Sequence, residues 1–429
     1  MNRHLIISSD CHAGLRPGGY REYLDPQYRE AFDRAHAQQT AQTEELEKHF
    51  LVKDINAKWR RGQESALAGA WDHDARIKVM DGDGIAGEVI FPDGITEMNA
   101  PPFGAGIGLS PIGADRELQW AGARAHNRWL AEFCQMASER RRGVAVVPAT
   151  WDVDEAVREV RWAKQNGLSS IMLPVVWGDH PAYHDPCYDP LWRECEELEV
   201  AVHFHSGPAD SATYFGSWPP KPGESTTRGA MGIYVSEVVW YVARPLTFLI
   251  WAGVFELFPK LRVAITEGTS AWVPSYLELL DQRASSHAGS SKLGDFTSHL
   301  KLKPSEYFAR NIRIGSLTHR HEIERRHEIG VGVIGGLVLL RAGDCVALKI
   351  DHSLLADVVE KNKKVGEVDA VIAIEVTDKR RAFGSDLALS VEIVEKSAKS
   401  TLPLQFRSPV SACRGWQALA RIHRCAYRV

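Results

Sequence analysis

The chain has 429 residues, a formal net charge of −4, 44% hydrophobic and 25% charged residues. That length holds one large α/β domain with an appendage, or about two or three smaller domains. The slight negative charge gives no electrostatic case for nucleic acid or an anionic membrane, and the apolar runs are strand-sized, short of the roughly 20 residues that a membrane helix needs.

The first predicted strand, 5–9, carries the apolar run Leu5-Ile6-Ile7 and leads into Ser8-Ser9-Asp10-Cys11-His12. Side chains at i and i+2 of a strand share a face, so Asp10 and His12 can converge on one point. Cys11 then points to the opposite face and reads as a packing residue. No signal-peptide pattern precedes this strand. The seven cysteines include no C-x-x-C pair, which points to reduced thiols in the cytoplasm. Residues 17–80 form a long excursion with polar helical stretches such as Thr43-Glu44-Glu45-Leu46-Glu47-Lys48, the texture of a lid or a subunit contact.

A second strand is predicted at 87–91, followed by a Gly- and Pro-rich stretch, 92–114. Residues 115–140 carry Leu118, Ala121, Ala125, Trp129 and Phe133 near helical spacing. A strand follows at 143–148. Asp152 suits the N-cap of a helix through about Asn166, with Gly167 just beyond its end. Next come a strand at 169–174, a short helix at 188–198 and a strand at 199–205. The last ends in His203-Phe204-His205-Ser206-Gly207, so His203 and His205 share a face. Residues 207–230 are rich in Gly, Pro, Ser and Thr and read as a loop at the pocket rim. Strands at 261–266 and 311–316 enclose a helix at 270–282.

Successive βα units point to a (β/α)₈ barrel rather than an open doubly wound sheet, and no G-x-G-x-x-G fingerprint is present. Active sites of such barrels lie at the C-terminal ends of the strands, where Asp10, His12, His203 and His205 all fall. A carboxylate and neutral imidazoles there suit one divalent metal, zinc or manganese.

Five stretches together resemble a known family. They are Ile7-Ser8-Ser9-Asp10-Cys11-His12; Met80-Asp81-Gly82-Asp83-Gly84-Ile85 with Val89-Ile90-Phe91-Pro92; Asn127-Arg128-Trp129-Leu130-Ala131-Glu132-Phe133-Cys134 running to Gly143-Val144-Ala145; Tyr188-Asp189-Pro190-Leu191-Trp192 before His203-Phe204-His205-Ser206-Gly207; and Phe258-Pro259-Lys260-Leu261-Arg262 before Glu267-Gly268. Over about residues 4–330 the chain resembles the amidohydrolase-related metal-dependent hydrolases, the branch that also holds the aminocarboxymuconate-semialdehyde and resorcylate-type decarboxylases. The resemblance implies one divalent metal at the barrel mouth, with Asp10 and His12 as first-strand ligands and His205 as the fifth-strand ligand. Two departures stand out. Glu267 occupies a position after the sixth strand where a histidine is frequent. The eighth strand, which ends in Gly-Ser-Asp-x-Pro-His in the family, is not found after a helix-like His321–Ile329 segment; the chain reads Gly330-Val331-Gly332-Val333-Ile334-Gly335-Gly336 instead. Gly384-Ser385-Asp386 comes about fifty residues too late for that motif and has no Pro-His after it, so it reads as a turn; Asp344 is an earlier candidate substitute.

The texture changes at about residue 333. Residues 365–406 alternate apolar and polar, as antiparallel strands do, and the last 23 residues, 407–429, hold five Arg and no acidic residue. The expected organisation is therefore a barrel over 1–332, incomplete at strand 8, and an atypical β-rich segment over 333–429 that a fusion or a frameshift would explain. Segment 331–340 is expected to fill the eighth slot without a ligand or to leave it poorly closed.

Other candidates are less specific. His203 suits a metal ligand or a substrate contact, and Glu267 could bind metal, orient water or close a salt bridge; both are candidates for moving protons. Trp272, Trp177 and Phe91 suit pocket walls or core. Arg244, in the loop-like Val242-Ala243-Arg244-Pro245, could pair with a substrate carboxylate. The expected activity is a metal-dependent hydrolase or a non-oxidative decarboxylase, a carbon–carbon lyase, acting on a small carboxylated or aromatic molecule. The alternative is a catalytically impaired barrel that keeps only metal or ligand binding. A homo-oligomer is open.

Overall fold

The computed structural model describes residues 5–16, 18–37, most of 58–93, 100–207, 230–286 and 294–315, with short strands at 333–334, 337–338, 372–378 and 387–393. Seven strands follow one another: β1 (Leu5–Ala13), β2 (Ile85–Pro92), β3 (Arg141–Val146), β4 (Ser170–Met172), β5 (Ala201–His205), β6 (Val263–Thr266) and β7 (Ile312–Ile314). Each pairs in parallel with the next. Between them run helices α1 (His73–Asp83), α2 (Arg116–Gln135), α3 (Val153–Gln165), α4 (Asp189–Glu197), α5 (Ala230–Trp251), α6 (Val254–Leu257), α7 (Val273–Ser286) and α8 (Pro304–Asn311). This is a partial TIM-like barrel. Its strands are buried on both faces, as helix-covered parallel strands must be; in β2 only Val89 is less than fully buried.

Helix α3 shows how the sequence sets these elements. Ala156, Val157, Val160 and Ala163 form one buried stripe, at the spacing that puts side chains on one helical face. Asp152 caps the helix, its carboxylate accepting from the Glu155 N–H at 2.8 Å. Gly167 follows with φ +86°, a conformation that costs other residues a Cβ clash. Asp152→Ala is expected to lower stability by about 1 kcal/mol, the usual worth of a cap. A denaturant midpoint that does not move would refute that role.

Two sequence expectations need correction. Arg244 lies inside helix α5, not in a loop, and Pro245 sits within the same helix. Proline costs an interior helix about 3 kcal/mol, but Val242, Leu246, Leu249 and Ile250 are all buried here, and that apolar stripe outweighs the lost bond. The helix expected at 270–282 is shifted to Val273–Ser286.

No parallel eighth strand joins β7 to β1 among the described residues. A short hairpin, β8 (Val333–Ile334) with β9 (Leu337–Val338), lies against both β7 and β1. The antiparallel texture further on forms β10 (Ile372–Asp378) and β11 (Leu387–Ile393), paired antiparallel. β10 pairs antiparallel with the start of β1, Leu5 opposite Ile374 and Ile6 opposite Ala373. The His321–Ile329 segment, Asp344 and Gly384-Ser385-Asp386 lie outside the described residues.

Candidate metal centre

β1 is not regular where it matters. Ser8 pairs with Glu88 and Cys11 with Ile90, so β1 holds one more residue than β2 across this step. A bulge at Ser9–Asp10 is the result, a device that re-aims side chains beside active sites. Asp10 and His12 meet His205 from the end of β5, and their ligating atoms all lie within 4.8 Å of one another. Asp10 Oδ1 stands 3.1 Å from His205 Nε2 and 3.5 Å from His12 Nε2. Ligand atoms on a tetrahedral ion with bonds of about 2.0–2.1 Å stand roughly 3.4 Å apart, so this spacing suits a shared cation.

The hydrogen bonds set the tautomers. His12 Nδ1 lies 3.0 Å from the Pro92 carbonyl, and His205 Nδ1 bonds the Ser206 carbonyl. A carbonyl only accepts, so both Nδ1 atoms carry hydrogen. In a neutral ring each Nε2 then presents a lone pair towards Asp10, itself an acceptor. Three acceptors facing one point require added positive charge, from protons or from a metal. Orientation of a ligating imidazole by an Nδ1–H bond to a carbonyl is how metal-binding histidines are held. The two-nitrogen, one-oxygen donor set fits zinc or manganese. Burial opposes charge on His205, yet Asp10 beside it, with help from Glu267, holds its pKa above the usual histidine value. Burial likewise works against the Asp10 carboxylate, but His205 first and then His12 and His203 bring it below the usual range.

His203 is placed differently. It is buried, and its Nδ1 lies 3.1 Å from Thr266 Oγ1. Burial and the neighbouring His205 push it down to about 3, so it is neutral. Among the described residues it does not join the Asp10–His12–His205 cluster. Phe91, fully buried, forms a floor beneath the histidines, its ring 4.7 Å from that of His205 and 5.2 Å from that of His203. Glu267 follows β6 with φ +55°, and Thr269 has φ +49°. Left-handed backbone at a β-branched residue is strained, and such strain collects at functional sites. Ser206 Oγ donates to the Glu267 carboxylate, so one loop residue joins both sides: its carbonyl holds His205 and its hydroxyl holds Glu267. Ser206 and Thr266 carry no chemical motif of their own in the sequence. Their only signal was adjacency, one following His205 and the other preceding Glu267.

Cys11 faces away as expected: its thiol bonds Ser8 Oγ at 3.0 Å, and burial pushes it up to about 12. The four described cysteines are free thiols. Arg244 and Trp272 come together elsewhere, in an open groove of about 370 Å³ shared with Glu237, Trp240, Thr247 and Tyr276. The Arg244 guanidinium stacks over Trp177 at 4.8 Å and Phe248 at 5.5 Å. Trp272 Nε1 donates to the Gly268 carbonyl at 2.9 Å. None of Asp10, His12, His203, His205 or Glu267 lines this groove.

Residues 10–309 match the family model described as Amidohydrolase. The chain is 29% identical over 223 residues to the gamma-resorcylate decarboxylase of Rhodococcus jostii (strain RHA1), a match covering 49% of this chain and 60% of that protein. The gamma-resorcylate decarboxylase of Rhizobium radiobacter is 28% identical over 241 residues, covering 51% and 64%. The chain thus spans less than two thirds of the length of these curated relatives. Among solved structures, a 5-carboxyvanillate decarboxylase of Novosphingobium aromaticivorans DSM 12444, crystallised with manganese and 3-methoxy-4-hydroxy-5-nitrobenzoic acid, aligns with TM-score 0.54 at 16% identity, over 84% of this chain and 95% of that one. An amidohydrolase of Mycobacterium avium subsp. paratuberculosis K-10 aligns with TM-score 0.50 at 20% identity, over 70% and 71%. At these identities the structural likeness shows the fold.

Proposed function

We propose, from the premise that the chain belongs to the amidohydrolase family, that it is a divalent-metal enzyme that removes the carboxyl group of a small aromatic carboxylate without an oxidant. The observation that carries this is the meeting of Asp10, His12 and His205 with both Nε2 atoms turned to one point. The names of the relatives, gamma-resorcylate and 5-carboxyvanillate decarboxylases, favour decarboxylation over hydrolysis. Asp10, His12 and His205 would hold one ion, zinc or the manganese seen in the latter enzyme. The ion supplies a Lewis acid for substrate oxygens.

Decarboxylation of an aromatic acid replaces the carboxylate by one proton and releases carbon dioxide. A proton must therefore reach the ring carbon. Glu267, held by Ser206, is the candidate carrier. Neutral His203 serves as a hydrogen-bonding contact to substrate and not as a charged acid. Arg244 and Trp272 line a separate groove that holds none of Asp10, His12, His203, His205 or Glu267, so no contact with a substrate at the metal centre is assigned to them. The slight negative charge and the scattered cysteines favour a cytoplasmic enzyme with a small-molecule substrate over one with a nucleic-acid or membrane partner; no described helix is long and apolar enough to cross a membrane. Homo-oligomerisation remains part of the proposal. The barrel of 1–332, with 17–80 as a covering excursion, would carry the chemistry, and 333–429 would be an addition to it.

The test is carbon dioxide release by the manganese-loaded full chain on hydroxylated benzoates, beside hydrolysis of a panel of amides and lactones. Release from a benzoate supports the proposal. Hydrolysis alone assigns the hydrolase reading. The short hairpin in the eighth-strand region favours one second reading, an impaired barrel that only binds metal. It predicts one bound ion, no turnover on either panel, and turnover gained by a chimera that carries a Gly-Ser-Asp-x-Pro-His ending after Gly332.

A further inference from the structure

Outside the candidate centre, the strongest buried charge cluster joins Arg76 of α1, Glu88 of β2 and Arg141 of β3. They are 8%, 3% and 1% exposed. Arg76 Nε lies 2.8 and 3.0 Å from the two Glu88 oxygens, and Arg141 Nε lies 3.2 Å from Glu88 Oε1. One carboxylate is therefore shared by two guanidinium groups.

Arg76 has a second set of partners. Its Nη1 donates to the carbonyl of His12 and to the carbonyl of Gly69, each at 3.0 Å. The edge of β1 at which this happens follows from the neighbouring bonds. The Ala13 carbonyl accepts from the Asp93 N–H at 3.0 Å, on the side of β2. Backbone groups of successive residues in an extended strand face opposite edges, so the His12 carbonyl faces the edge away from β2. Gly14 belongs to that edge too, and its N–H bonds the Ala70 carbonyl at 3.1 Å. The 3₁₀ turn Ala68–Ala70 and the Arg76 guanidinium thus act along the edge of β1 beside His12. This edge adjoins the bulge at Ser9–Asp10, where the ladder to β2 is irregular.

We propose that Arg76 is a positioning residue of the metal centre: by fixing the His12 carbonyl on the edge away from β2, it sets the approach of the His12 imidazole to the ion. The inference rests on Asp10, His12 and His205 holding a metal. Glu88 serves as the anchor of Arg76, and Arg141 keeps Glu88 paired when Arg76 is replaced. Arg76→Gln therefore leaves one guanidinium for one carboxylate. Lysine keeps the charge but presents one compact ammonium where a planar fork bonds Glu88 and two carbonyls.

The experiment compares the full chain with Arg76→Gln, Arg76→Lys and Arg141→Gln. Manganese affinity is read by competition with a chelator, the ion's surroundings by its electron paramagnetic resonance spectrum, and unfolding temperature with manganese and with excess chelator. Arg76→Gln is expected to weaken manganese binding about 10- to 100-fold, the usual effect of removing a group that orients a ligand. It should also alter the spectrum and shrink the rise in unfolding temperature that manganese gives. Arg76→Lys should weaken binding as well, and it serves if Arg76→Gln does not fold. Arg141→Gln should lower the unfolding temperature with and without metal and leave affinity unchanged. Unchanged affinity in both folded Arg76 variants overturns the inference, as does an equal loss in Arg141→Gln. An unmutated chain that binds no manganese overturns the metal centre itself, and is told apart because the failure then appears before any substitution.

Discussion

His12→Ala combined with His205→Ala is expected to abolish bound metal, measured by elemental analysis of protein purified with manganese, and with it all turnover. The two imidazoles would supply two of the three candidate ligand atoms, and Asp10 alone is a single carboxylate near the end of β1. Proton transfer by a positioned group is worth only about 10²–10⁴-fold, so loss of the ion should exceed the effect of replacing Glu267. Metal content equal to that of the unmutated chain would show that the ion sits elsewhere. The pH dependence has a defined sign. Protons compete with the cation for His205, whose pKa is raised by Asp10 once the opposing effect of burial is overcome. Affinity should therefore rise with pH up to and through that raised value. The metal-free protein runs the other way: stability from the protonated His205 beside Asp10 is fully present below the unfolded histidine value and is lost as pH rises through the folded one. Chelated and loaded protein should thus diverge in unfolding temperature as pH increases.

Glu88→Leu is expected to cost about 3–5 kcal/mol, the range for removing one partner of a buried ion pair. Arg76 and Arg141 would be left with two charges and no counter-charge, at side-chain exposures of 10% and 0%. The sign with pH again follows. Burial alone would raise the Glu88 pKa, but Arg76 and then Arg141 bring it below the ordinary glutamate value. Its contribution is present above the unfolded glutamate pKa and is lost as pH falls through the folded one. The stability gap between the unmutated chain and Glu88→Leu should close on acidification, and a gap that stays constant down to the folded value would contradict the assignment. Arg76→Gln should cost less, because Arg141 still neutralises Glu88.

Features set by short stretches of chain were legible in the sequence. Short apolar runs give β1 to β7, and the Asp152 cap with Gly167 bounds α3 to within a residue. The alternation of 371–376 and 389–394 becomes the antiparallel pair β10–β11. Asp10, His12 and His205 were legible because each sits at a strand end, where a parallel barrel gathers its functional groups. What failed locally was α5: proline at 245 reads as a breaker, and only the packing of Val242, Leu246 and Leu249 into the core shows why it is tolerated. The remaining features exist only once distant segments touch. Arg76 meets His12 across 64 residues and Arg141 meets Glu88 across 53. No periodicity encodes such a pair, since charged residues at those positions look like any solvated face until the sheet buries them. The tautomers of His12 and His205 and the bulge at Ser9–Asp10 are of the same kind. They are fixed by carbonyls and strand register that the fold supplies, and burial then makes an unpartnered charge or lone pair too costly to leave unmet.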